Sequence, residues 1–290
     1  MKRNLIVIAM ALFIAFVPLI GSAATEQPAI NGEYLIRADG FMISIDSSYP
    51  VLSFYGENAT EPVFSISYDE LVLYNGDISA PEYRSTLSSS LWDTTIFNST
   101  EEDGTVRTLV SMSSTIDMSG NGEISEWGKL TFNFLILTKG DKAQLGISMN
   151  IKDMKSVSDC SHMAIIQSID GDATFIPDAN EVIVSDIYYR WDPTASVNID
   201  GVQEERDVGA QYSEGSLSLI YPYSQDMVEI MHISGKVDLG NTVIMKNYFS
   251  DALGYGLGIL AGFGLLGISY AVKEKKKKSP FDMDSPIYRK

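Results

Sequence analysis

The sequence predicts an all-β ectodomain, an antiparallel β-sandwich, followed by one C-terminal transmembrane α-helix. Three observations predict it. Apolar and polar residues alternate with a period of two over many short stretches, and Gly, Asn, Asp and Pro punctuate the gaps between them. A charge-free apolar run of 21 residues, Ala252–Val272, stands near the end.

Residues 1–24 read as a secretory signal peptide. Lys2 and Arg3 precede the apolar run Leu5–Ile20, and the small residues Gly21, Ser22, Ala23 and Ala24 follow it, which places cleavage after Ala24. Residues 25–250 form the ectodomain. Its clearest strand is Gln144–Lys152, where Leu145, Ile147, Met149 and Ile151 alternate with polar or small residues. Leu130–Thr138 carries Phe132, Phe134 and Ile136 on one face, and Lys139-Gly140-Asp141-Lys142 joins the two runs as a hairpin turn.

Further strands are expected at 33–38, 41–46, 51–55, 63–74, 91–97 and 105–116, and then at 163–169, 181–189, 196–199, 216–221, 227–233 and 236–245. No stretch of the ectodomain keeps a 3.6 period over 11 or more residues, so helices are not expected there. Asp153–His162 is the least apolar stretch and the one candidate for a linker, yet it lacks the composition of a flexible spacer. One continuous two-layer unit is therefore expected.

Residues 251–272 are expected to span the membrane, because 21 residues at about 1.5 Å each cover the roughly 30 Å hydrocarbon core. Lys273, Lys275, Lys276, Lys277 and Lys278 follow at once, and such a basic cluster stays cytoplasmic. That orientation puts residues 25–250 outside and 273–290 in the cytoplasm: a single-pass protein of the cell membrane. The charges divide accordingly. Residues 25–250 carry net −22 and residues 273–290 net +4. An acidic exterior repels anionic polymers, and no basic cluster lies outside the tail, which excludes nucleic acid as a partner.

Cys160 is the only cysteine, so the ectodomain has no internal disulfide and must be held by its core. Asp117-Met118-Ser119-Gly120-Asn121-Gly122-Glu123 follows the spacing of a calcium loop. Asp117, Ser119, Asn121 and Glu123 are its candidate ligands, because calcium takes several hard oxygens converging on one point. The twelfth position departs from the scheme, being Gly128 where a bidentate Glu belongs. Apart from this calcium no cofactor is expected. Asn58-Ala59-Thr60 and Asn98-Ser99-Thr100 are N-glycosylation acceptors, both expected in loops.

Gly254, Gly258 and Gly262 recur every four residues and form a smooth stripe for helix association, with a second copy or with another membrane protein. The lysine cluster supplies contact with anionic lipid, so the bilayer itself is a partner. No catalytic motif is present, and His162 and His232 are the only histidines. Acidic pairs such as Asp69-Glu70, Asp170-Gly171-Asp172 and Glu204-Glu205 read as solvated loops or strand edges. Tyr188, Tyr189, Trp191, Tyr221 and Tyr223 concentrate in the second half and would suit a binding platform if exposed. The expected function is a non-catalytic binding, envelope or complex subunit of the cell surface. The alternative is a membrane-tethered carbohydrate-binding or carbohydrate-active protein that uses those aromatic and acidic residues.

Overall fold

Alternation of apolar side chains dominates the chain from Glu33 onward, and the chain answers with strands. The computed structural model describes residues 32–239, apart from 39, 57–58, 141 and 185–186. The first half holds β1 (Glu33–Ala38), β2 (Phe41–Asp46), β3 (Val51–Gly56), β4 (Phe64–Tyr74), β5 (Tyr83–Thr86), β6 (Asp93–Thr100), β7 (Val106–Gly120), β8 (Glu123–Lys139) and β9 (Lys142–Lys152). The second half holds β10 (His162–Asp170), β11 (Ala173–Ile176), β12 (Glu181–Val184), β13 (Ile187–Arg190), β14 (Thr194–Ile199), β15 (Val202–Asp207), β16 (Gly209–Ser213), β17 (Ser216–Pro222) and β18 (Met227–Leu239). Helix is confined, among the described residues, to two single 3-10 turns at Leu87–Ser89 and Pro177–Ala179. The described residues are nearly all antiparallel β-sheet.

The pairings sort these strands into two sets. One runs β1–β2–β3–β4–β10–β17–β16. The other runs β6–β7–β8–β9–β18. Along the far edge of β18, β14 and β15 pair at its start, and β13, β12 and β11 pair near its end. β5 belongs to both sets, pairing β4 on one side and β7 on the other.

Side chains from the two sets meet in one core. Phe64, Ile66 and Tyr68 of β4 and Ile43 and Ile45 of β2 are buried with Phe132, Phe134 and Ile136 of β8 and Leu145, Ile147 and Met149 of β9. Tyr68 lies 4.3 Å from Phe132 between ring centroids. A tilted ring pair of this kind adds about 0.5–1.5 kcal/mol to the area it buries. The register Phe132↔Met149, Phe134↔Ile147, Ile136↔Leu145 puts these six large side chains of the β8–β9 hairpin on the same face, as the alternation demands.

Two of the register irregularities, in β4 and β18, adjust that phase. In β4 the pairing with β10 slips, so that Gln167 faces Tyr68 while Ile166 faces Glu70, and Asp69 is the extra residue. Its carboxylate accepts hydrogen bonds from Tyr49 Oη, Ser168 Oγ and, at 2.7 Å, Ser67 Oγ, which pins the bulge. Burial and the Asp69 carboxylate together push the Tyr49 phenol well above its ordinary value. Beyond the bulge both faces of β4 are covered. Leu71 and Leu73 enter the main core, and Val72 and Tyr74 pack with Ala164 on the opposite face.

In β18 the slip falls between His232 and Gly235. A Cβ on Gly235 would lie 2.7 Å from Tyr189 Cε2 and 2.9 Å from Ile147 Cδ1. Glycine is thus what lets the Tyr189 ring seat against β18. The Tyr189 hydroxyl then reaches Gln167 Oε1 at 2.8 Å and the Ser234 carbonyl at 2.6 Å, its single proton serving one acceptor at a time.

All the described residues fall within one compact unit, Gly21–Ile244. The linker candidate 153–162 is woven into it: Met154, Val157 and Cys160 are buried, Lys155 N–H donates to the Trp127 carbonyl at 2.7 Å, and Tyr223 N–H donates to the Ser161 carbonyl at 2.9 Å. Burial, with Glu82 and Asp159 nearby, raises the Cys160 thiol to about 11, so it stays protonated at neutral pH.

The observed strands differ from the expected ones at several boundaries and in number. The run 181–189 is two strands, β12 and β13, paired as a hairpin. The runs 227–233 and 236–245 join into β18 across the bulge as far as Leu239, the remainder lying outside the described residues. β5, β11, β15 and β16 form without a strong alternating pattern, because pairing neighbours hold their backbones. The expected signal peptide 1–24, the expected span 251–272 and the expected tail 273–290 lie outside the described residues. Among the described residues no helix is long and apolar enough to cross a membrane.

Candidate functional site: a hydroxyl-lined cleft beside β7

A concavity among the described residues follows from the dual pairing of β5. Tyr83 and Arg84 pair with Gly120 and Ser119 of β7 and, on their other side, with Leu73 and Val72 of β4. Ser85 and Thr86 stay with β4 alone. The chain leaves β7 there, drops Leu87 into the core at 0% exposure, and makes its 3-10 turn. It regains β7 only at Asp93, opposite Ser113. Trp92 closes the detour, its indole N–H donating to the Leu87 carbonyl at 3.0 Å and its ring lying 5.9 Å from Phe132.

On this edge of β7, Ser114–Met118 therefore have no strand partner among the described residues. Eight residues, 85–92, pass over a gap that five would bridge in register. The surplus leaves β7, first staying with β4, and a cleft of about 820 Å³ lies between it and β7. Seven serines and two threonines line it, among them Ser85, Ser89, Ser113, Thr115 and Ser119. Arg84 and Lys129 supply positive charge, and Asp93, Asp117 and Glu123 supply negative charge. Arg84 lies 3.8 Å from Glu70 with both side chains partly in water, so this pair restrains it weakly. Leu91, 92% exposed, stands at the rim.

Three of the four residues with calcium-loop spacing line this cleft: Asp117, Ser119 and Glu123. They do so as members of a strand hairpin, with Ser119 opposite Glu123. Asn121 sits in the turn and is not among the lining residues; its backbone N–H donates to the Glu82 carbonyl at 2.9 Å. Asp117 Oδ1 accepts the Glu126 N–H at 2.6 Å, which holds an irregular turn of β8 where Glu126 takes a positive φ of 50°. That turn rotates Trp127 inward to full burial. Among the described residues no group of three or more His, Cys, Asp or Glu side chains is arranged to hold a metal ion.

The other candidate residues fall away from this cleft. Asn98 lies within β6, opposite Thr108, rather than in a loop. Asn58, Gly254, Gly258, Gly262 and the lysines 273 and 275–278 lie outside the described residues. Of the five aromatic residues considered for a platform, Tyr189, Trp191, Tyr221 and Tyr223 are buried in the core. Tyr188 alone is exposed, with the Arg190 guanidinium 5.1 Å from its ring centroid. Asp69 is held in its bulge, and Glu204 and Glu205 lie exposed on β15, where charge discourages strand addition.

Both histidines are engaged. His162 stacks on Tyr74 at 5.3 Å, with Nδ1 2.8 Å from Ser161 Oγ. His232 is 2% exposed; its Nε2 lies 2.8 Å from the Asp192 carbonyl and must carry the proton, leaving Nδ1 to accept from Tyr221 Oη at 2.9 Å. Asp192 also pairs with Lys236 at 2.6 Å.

Nothing in the sequence pattern had singled out Arg84, Lys129 or the hydroxyl row of the cleft. The row does leave a trace, since Ser111, Ser113, Thr115, Asp117 and Ser119 alternate along one face of β7. What the alternation does not carry is the gap beside them. No protein-family description matches the chain, and no curated protein matches it.

Proposed function

We propose that the protein is a non-catalytic, single-pass subunit of the cell surface with type I topology. Its ectodomain, 25–250, is an antiparallel β-sandwich; the helix 251–272 holds it in the membrane, the basic tail 273–290 faces the cytoplasm, and the segment 1–24 is removed on export. The observation that carries the binding role is the cleft beside β7. It joins an open strand edge to a wall of hydroxyls with charges of both signs, an arrangement suited to holding a polar ligand by many modest hydrogen bonds. Neither His162 nor His232 is among the residues lining the cleft, which supports recognition rather than histidine-based proton transfer there. Association through Gly254, Gly258 and Gly262, with a second copy or another membrane subunit, belongs to the same reading.

The carbohydrate alternative draws less support. Four of its five aromatic residues are buried, and the cleft has no ring among its lining residues on which a sugar could stack.

Three measurements test the proposal. Protease added to intact cells should digest residues 25–250 while sparing the tail, and alkaline carbonate should leave the protein in the membrane fraction. Purification from detergent should then bring down a companion at a stoichiometric level with the unaltered chain and lose it with Thr115→Arg, which fills the cleft. Digestion confined to permeabilised cells would overturn the topology, and a companion retained by the filled cleft would overturn the site.

A further inference from the structure

We propose that the cleft takes an extended polypeptide segment, received as an added strand along the open edge of β7 at Ser114–Met118. The inference rests on the reading of the cleft as a binding site and names its ligand class.

Main-chain bookkeeping points to it first. A strand edge presents unpaired N–H and C=O groups in a fixed alternation, and such groups in a concave site are matched best by another extended backbone. The edge of β7 is matched by β6 as far as Ser113 and by β5 from Ser119 onward. Between those points the chain that should have completed the ladder bows away. The stretch from Ser113 to Ser119 covers about 20 Å at the rise of a β-strand, room for a guest of five residues. Both flanking strands run antiparallel to β7, so a guest in the same sense continues their ladder.

The walls agree with a backbone ligand. Short hydroxyls such as Ser113 and Thr115 meet main-chain groups without demanding a particular side chain, and the lining offers no aromatic ring for a sugar. Charge marks the ends: Arg84 stands opposite Ser119 and Asp93 stands at Ser113. The preferred guest therefore carries an acidic residue toward Arg84, a basic residue toward Asp93, and small or polar residues between them.

The test uses the full chain in detergent micelles and a library of random linear heptapeptides. Selected peptides are resynthesised with one backbone nitrogen methylated at a time. The expected result is binding that falls roughly tenfold or more at alternate positions and little at those between, the period-two signature of strand pairing. Thr115→Arg should abolish it, and Ser89→Trp, which fills the opposite wall, serves where Thr115→Arg lowers the melting temperature. Peptides that lose affinity equally at every methylated position would overturn strand addition. If no peptide is enriched but a panel of immobilised oligosaccharides is held by the unaltered chain and not by the filled variants, the peptide class falls and the cleft remains a binding site. If neither is held, the cleft as a binding site falls as well.

Discussion

Acidification should destabilise this protein through a single buried imidazole. Burial pulls His232 down from the ordinary histidine value of 6.5 to about 4; the Asp192 carbonyl and carboxylate oppose the shift, and Lys236 adds to it. Tyr221 from β17 and Asp192, paired with Lys236, are the polar groups against the ring. The unfolded chain binds a proton at this residue near pH 6.5, while the folded chain refuses it until about pH 4. The contribution of neutral His232 is thus complete above pH 6.5, declines as the pH falls through that window, and is gone below about 4.

A shift of this size corresponds to about 3 kcal/mol, at roughly 1.4 kcal/mol for each pH unit. The carboxylates titrate in the same range, so the informative quantity is a difference. Urea unfolding of the full chain in detergent, followed by fluorescence of the buried Trp127 and Trp191, should be measured from pH 7.5 to 4 beside His232→Gln. Glutamine keeps a donor and an acceptor but does not titrate. The unaltered chain should lose about 3 kcal/mol more than the variant across that interval. Parallel profiles for the two chains would refute the argument.

Three further outcomes are expected. Gly235→Ala should destabilise by about 1–3 kcal/mol, since its Cβ would lie 2.7 Å from the Tyr189 ring, whereas Gly209→Ala, whose Cβ would lie 3.5 Å from Ile220, should change the urea midpoint little. Leu87→Ala should cost about 2–5 kcal/mol by opening a cavity beneath the cleft, measured by the same unfolding curve. Asp117→Ala removes the acceptor that holds the Glu126 N–H, and a loss of about 1–2 kcal/mol with a shift in Trp127 fluorescence would report the loosened turn.

How far the sequence could be read depended on whether a strand advertises itself. β8 and β9 did, since Phe132, Phe134 and Ile136 and then Leu145, Ile147, Met149 and Ile151 fall at every second position and Gly140 marks the turn between them. β12 and β13 merged into one predicted strand because both are apolar and no Gly or Pro separates Val184 from Ile187. β15 is exposed along its whole length and has no buried face to alternate. Tyr189 and Tyr221 have residue types that suit both core and surface; the phase of their strands turns them inward, where the former meets Gln167 and the latter His232. The spacing of Asp117, Ser119 and Glu123 drew attention to one wall of the cleft, yet the opposite wall comes from residues 84–93, about thirty positions away.

Side-chain periodicity belongs to a few neighbouring residues and follows from the pleat of each strand, so the sequence alone determined that the described residues would be β and which faces would be apolar. Which strand lies beside which is settled by pairings between distant segments, each chosen against competing registers by the core it closes. The double allegiance of β5 is such a choice. It parts the chain from β7 after Arg84 and so makes the cleft, a feature that only the tertiary structure decides.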